Sequence, residues 1–160
     1  MSGRIYAKLA ELGLKLPQPL VLPSPNRIAA KQVGSILYIS GHGSDLLEDE
    51  DVVRHGRVPS EVSPDDAYAT ARALALKMLA TVESAVGDLD RVAEIVNLKG
   101  YVLSDPDFGA MNAVVNGASD LFFEVFGDPA GVHTRSTVGV AALVKSQTVE
   151  IDAVMRLHCN

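Results

Sequence analysis

Ile95-Val96-Asn97-Leu98-Lys99-Gly100-Tyr101-Val102-Leu103-Ser104-Asp105-Pro106-Asp107 is the passage on which the fold turns. A β-rich, mostly apolar run, as expected of a central strand, passes directly into a serine, a proline and two acids, the composition of a helix start. Upstream, Ser63-Pro64-Asp65-Asp66 has the same signature: a cap residue, a proline at the first helical position, and acids that complement the helix dipole. The helix opened there carries Ala71, Leu74, Met78, Val82 and Ala85 on one stripe and stops at Gly87. Downstream of the strand, Phe108, Met111, Val115, Ala118, Phe122 and Val125 form the stripe of a second long helix, closed by Gly127.

Working outward, Arg27 to Val33 and Ser35 to Ser40 flank Gly34 and read as two strands around a tight turn, with Gly41-His42-Gly43 ending the second. At the other end, Thr137 to Leu143 and Thr148 to Met155 are joined by a short polar segment, which predicts an antiparallel hairpin. Val149, Ile151, Ala153 and Met155 share one face of its last strand. The start of the chain reads as a helix from Arg4 to Leu12 closed by Gly13, then an extended lead-in set by Pro17, Pro19, Pro23 and Pro25. The charged stretch from Ser44 to Ser60 reads as an exposed loop. Residues 1–160 thus form one α+β domain, with 1–26 as the helix and proline-rich lead-in and ββαβαββ after it. Two long helices cover one face of a mixed sheet. Apolar residues on the other face call for a partner, so the chain is expected to self-associate.

The composition narrows the function. At 160 residues and 48% hydrophobic content, the chain can bury roughly 68–70% of its unfolded surface. Fourteen Lys and Arg against twenty Asp and Glu give a net charge of −6 and no basic stripe, which argues against nucleic acid or an anionic membrane as partner. The lone cysteine, Cys159, excludes an intrachain disulfide and fits a reducing cytoplasm. Lys8, Glu11 and Lys15 interrupt the N-terminal apolar character, so no signal peptide is read there, and no run approaches membrane-spanning length. His42, His55, His133 and His158 lack metal-ligand spacing, and the run Glu48-Asp49-Glu50-Asp51 lacks the spaced oxygens of a calcium loop. No metal site is expected.

Four groups of residues could carry chemistry. Arg135, in His133-Thr134-Arg135-Ser136-Thr137-Val138-Gly139-Val140, stands at the mouth of an otherwise uncharged strand. A guanidinium there suits a small carboxylate, which it grips with two parallel hydrogen bonds. Glu150 alternates away from the Val149 and Ile151 face and could hold and activate a water. Asn112, Asn116 and Ser119 line one side of the second helix. Ser40-Gly41-His42-Gly43 lacks the pattern of a nucleophile elbow, and its glycines would let backbone N–H groups approach a ligand.

On these residues the chain resembles the Rid proteins, the reactive intermediate deaminases also called YjgF-like or endoribonuclease L-PSP-like. The resemblance covers roughly residues 17–157. It rests on Ile39-Ser40-Gly41, on Gly87-Asp88-Leu89-Asp90-Arg91-Val92, and on Ser104-Asp105-Pro106-Asp107-Phe108 with Met111-Asn112. The closing segment carries most weight: Arg135-Ser136, then Val138, Val140 and Ala142-Leu143, then Val149-Glu150-Ile151. Asn116 to Leu121, Phe126-Gly127 and His133 are similar to a less-studied subgroup. The resemblance implies a chorismate-mutase-like fold, a homotrimer and ligand clefts between subunits. It further implies that Arg135 binds the carboxylate of a 2-imino or enamine acid while Glu150 helps water attack, giving a 2-keto acid and ammonia without a cofactor. Ser40, Gly41, His42, Asn112, Asn116 and Arg27 join them as substrate-binding candidates, with Arg27 where the well-studied members carry tyrosine and His42 where glutamine is common. The alternatives are a non-catalytic metabolite-binding trimer and, less favoured by the acidic charge, an endoribonuclease.

Overall fold

The computed structural model describes residues 3–48 and 52–159. The acidic run after Glu48 therefore lies largely outside the described residues. Helix α1 (Arg4–Glu11) and the proline-rich lead-in precede a hairpin of β1 (Ala30–Val33) and β2 (Ile36–Gly43). Then come α2 (Pro64–Val86), β3 (Val92–Leu103), α3 (Met111–Phe126), β4 (Thr134–Val140) and β5 (Val149–Leu157). The architecture is the expected α+β type, one mixed sheet with α2 and α3 on one face.

Local chemistry explains most boundaries. Ser63 caps α2 by accepting from the Asp66 N–H, Pro64 occupies the first turn, and Gly87 ends the helix at φ 84°. Gly34 has φ 60° in the two-residue turn between Val33 and Ile36. The buried stripe of α2 includes Ala71, Leu74, Met78 and Val82 as read, but ends on Val86, leaving Ala85 exposed. The segment Ser104-Asp105-Pro106-Asp107 does not open α3, which begins at Met111 after an Ala110 cap. Asp105 instead accepts from the Ser60 N–H and hydroxyl, tying that turn to the loop before α2. The segment before α2 is more buried than its charge suggests: Val58 is fully buried, and Val58 and His55 bridge to Ser104 and Gln147.

The expected hairpin between the last two strands does not form. The sheet order is β1-β2-β5-β3-β4, with β5 inserted antiparallel between β2 and β3 and β4 lying parallel to β3 on the outer edge. Burial decides this arrangement. Val149, Ile151, Ala153, Met155 and Leu157 are all buried, so β5 takes a central slot with hydrogen bonds on both edges. β4 carries Arg135, Ser136 and Gly139 and no fully buried side chain, a composition suited to an edge. The crossover through α3 delivers it there, as a parallel connection requires.

The second sheet face is not simply apolar. Tyr38 and Val138 are exposed on it, at 52% and 44%, but Lys99, Glu150, Asp152 and Arg156 share it by strand alternation. Arg156 pairs with Glu94 at 2.8 Å, and the Tyr101 hydroxyl donates to Asp152 at 3.0 Å. Among the described residues no helix is long and apolar enough to cross a membrane.

Candidate functional site

The new strand order relocates both leading residues. Arg135 is in register with Leu98, which is in register with Ala153, whereas Glu150 is level with Tyr101. Two strand spacings and three residues of rise, each about 10 Å, therefore separate their backbones. They also face opposite ways. Leu98 is buried under the helices, so its partner Arg135 points to the helix face, and Glu150 lies on the open face.

At the β4 edge, Arg135 is held by a relay from α3. Its Nη1 donates to Asn116 Oδ1 at 2.8 Å and to Ser119 Oγ at 2.9 Å. Ser119 Oγ also lies 2.9 Å from His133 Nε2, and His133 Nδ1 lies 2.8 Å from the Gly131 carbonyl. A carbonyl only accepts, so neutral His133 carries its proton on Nδ1 and receives the Ser119 hydroxyl proton at Nε2. The His133 ring packs edge-on against Phe122, 6.2 Å between centroids. Among the described residues no carboxylate lies within ion-pair distance of Arg135, and its Nε and Nη2 donors have no partner. The guanidinium is oriented on one side and open on the other.

On the open face, Glu150 accepts from Gln147 Nε2 at 2.6 Å and lies across Gly41. A Cβ at Gly41 would come within 3.0 Å of the Glu150 carboxyl carbon and collide with Oε1. Gly43 makes the same room for the Gln147 amide. These glycines therefore clear space for two polar side chains, which differs from the expected role of bringing backbone N–H groups to a ligand. Burial raises the Glu150 pKa above the usual carboxylate value, the Gln147 hydrogen bond opposes this, and the Asp152 and Asp45 charges add to the rise.

The remaining candidates are scattered. His42 is fully buried on the helix face, its Nδ1 2.7 Å from the Ser40 carbonyl and its Nε2 2.8 Å from Thr81 Oγ1. Both ring nitrogens are engaged, so the expected ligand contact gives way to a core contact with α2, because the bulge after Ile39 turns this side chain inward. Burial lowers its pKa to about 4. The Ser40 hydroxyl donates to the Ile28 carbonyl at 2.7 Å. Asn112 is exposed in the first turn of α3, and Arg27 is exposed in the lead-in. Only Asn116 is brought against Arg135, together with Ser119 and His133; Gly41 alone is brought against Glu150. Among the described residues no cluster of three His, Cys, Asp or Glu side chains is placed to hold a metal ion.

Comparison with known proteins identifies the family and the fold. Residues 6–149 match the family described as "YjgF/chorismate_mutase-like, putative endoribonuclease". Protein TCP17 of Trypanosoma cruzi is 39% identical over 159 residues, 98% of this chain and 96% of its own. The crystal structure of Atu1372 from Agrobacterium tumefaciens is 33% identical and superimposes with a TM-score of 0.85 over 97% of this chain and 93% of that one. A structure from Shewanella oneidensis, named a "putative endoribonuclease", is 25% identical with a TM-score of 0.86, covering 96% of this chain and 99% of that one. The chain belongs to the YjgF/chorismate mutase-like family.

Proposed function

We propose that this protein hydrolyses small 2-imino or enamine acids to 2-keto acids and ammonia, in clefts that two subunits of a homotrimer build together. The observation that carries the reading is the half-satisfied guanidinium of Arg135, oriented by Asn116 and Ser119 and without a carboxylate partner among the described residues. A substrate carboxylate completes it with two parallel hydrogen bonds. Glu150, with its raised pKa, is the water-orienting base. Because the two side chains occupy opposite faces of one sheet, a second copy must supply the Glu150 face to an Arg135 edge, and the exposed β4 edge leaves room for one. In this reading Asn112, Ser40 and Arg27 reach the substrate only through the neighbouring subunit or a shift of their loops.

In the reaction, water adds to C2 of the protonated imine while Glu150 takes a proton from it. Glu150 returns that proton to the nitrogen of the carbinolamine, the C–N bond breaks, and the hydroxyl proton passes to the departing ammonia, leaving ammonium and the carbonyl of the keto acid. The imine is already reactive in water, so holding it beside one oriented water is sufficient in kind. The tight Gln147 to Glu150 contact also suits a second reading, a metabolite-binding protein in which Glu150 is structural. An RNA substrate is disfavoured by the net charge of −6. The deciding experiment generates imino acids in place with an amino-acid oxidase and follows semicarbazone formation. The wild type lowers semicarbazone yield and Glu150→Gln does not. Absence of any effect of the wild type across small, acidic and aromatic imino acids overturns the deaminase reading in favour of the binder.

A further inference from the structure

A cleft of about 540 Å³ opens at the far end of β4, its lining including Arg57, Ser104, Asp105, Phe108, Met111 and Val140. That volume falls in the range of small-molecule sites. Gly139, in the same lining, is four residues beyond Arg135 on the same face of the strand, about 13 Å away along it, so the cleft is separate from the Arg135 relay.

Its polar groups are arranged for a ligand. Ser104 is only 7% exposed, yet its hydroxyl has no hydrogen-bond partner among the described residues. That hydroxyl lines the cleft and is free to hydrogen-bond a ligand placed there. The Arg57 guanidinium donates to the Ser104 and Ala141 carbonyls, through Nη1 at 2.6 Å and Nη2 at 3.0 Å. Five N–H groups on a guanidinium leave donors to spare. Asp105 faces the same space, 3.9 Å from Arg57 Nε, a distance too long for a direct hydrogen bond. The side chains that line the cleft thus carry one positive and one negative charge, a long ion pair in which Asp105 also accepts from Ser60, beside an apolar wall of Phe108, Met111 and Val140.

We propose that this cleft binds a free α-amino acid with an apolar side chain. Its carboxylate meets Arg57 and Ser104, its ammonium meets Asp105, and its side chain lies on Phe108 and Met111. A simple anion or cation matches only half of this lining, because the opposite charge then repels it. The site stands independently of the Arg135 chemistry.

The test uses full-length protein with 13C-methyl-labelled methionine and titrates L-phenylalanine, phenylacetate and phenethylamine while observing the Met111 methyl. L-phenylalanine should shift that signal saturably, and the two half-ligands should bind at least ten-fold more weakly. Ser104→Ala should weaken L-phenylalanine about five-fold while leaving Tm unchanged or higher, since the hydroxyl it removes has no partner in the fold. A second variant, Gly139→Ala, places a Cβ 2.5 Å from Ser104 Oγ and 3.5 Å from Met111 Sδ, and should crowd the ligand out. The proposal is overturned if phenylacetate binds as well as L-phenylalanine, if the Met111 signal does not move, or if Ser104→Ala and Gly139→Ala both bind like wild type.

Discussion

Replacing Gly41 with alanine separates the two readings of Glu150, because it moves the carboxylate without changing its chemistry. The added Cβ would lie 3.0 Å from the carboxyl carbon and 3.4 Å from Cγ. Carbon atoms settle at about 3.5–4.0 Å, so the carboxylate must retreat by roughly 0.5–1 Å. Glu150 is held at its tip by Gln147 and can swing by side-chain rotation, so the cost in stability should stay within about 1 kcal/mol. The catalytic cost is larger. A misplacement near 1 Å costs on the order of 100-fold in rate, and a general base contributes about 10²–10⁴-fold in all. Gly41→Ala should therefore slow imine removal in the oxidase-coupled semicarbazone assay by roughly 100-fold, with binding of 2-keto acids by calorimetry nearly unchanged and Tm within a few degrees of wild type. A Gly41→Ala protein that turns over imines at the wild-type rate would refute the placement of Glu150 as the base.

Four further outcomes follow from the same geometry. Arg135→Lys should weaken calorimetric binding of small carboxylates by at least ten-fold, because an ammonium keeps the charge and loses the planar fork; unchanged affinity would make Arg135 structural. Ser119→Ala removes the hydroxyl between Arg135 and His133, and should raise KM more than it lowers kcat. Buried His42 has a folded pKa of about 4 against 6.5 unfolded, so the unfolded chain binds the extra proton and stability is lost as pH falls from about 6.5 towards 4, by up to about 3 kcal/mol. Thermal melts across that window should show the loss, and His42→Asn should flatten it. Sedimentation equilibrium at micromolar protein should give a trimer; a monomer would remove the shared cleft.

What could be read in the chain was local. Ser63, Pro64 and Gly87 fixed α2 because caps and stops act within one turn of backbone, and Gly34 fixed the first hairpin for the same reason. The last two strands were misassigned because a short connection favours neighbours, while the actual pairing depends on which strand best fills a slot between β2 and β3. That competition involves residues more than a hundred positions apart, such as Tyr38 and Val154. The same distance hid the role of His42, since a one-residue bulge decides which face its ring takes. Asn116 and Ser119 carried a readable signal, polar residues three apart on one helix face, but their partner Arg135 came from another strand. Gln147 offered none: its importance comes from the two glycines of β2 that leave it room.

The central position of β5 also bears on how the protein is made. On the ribosome, β2 emerges with one edge unfilled and β3 with both, since β4 and β5 follow it, and residues 149–157 must be synthesised before the gap between β2 and β3 closes. Translation delivers roughly 5–20 residues per second, so the some fifty residues from Leu103 to Val149 hold that gap open for several seconds. Throughout that interval the nascent chain presents the unpaired edges of β2 and β3 to any other nascent chain nearby. Its yield in a cell should depend on synthesis speed and on holding chaperones, and a pause placed just before β5 should harm it more than the same pause placed after.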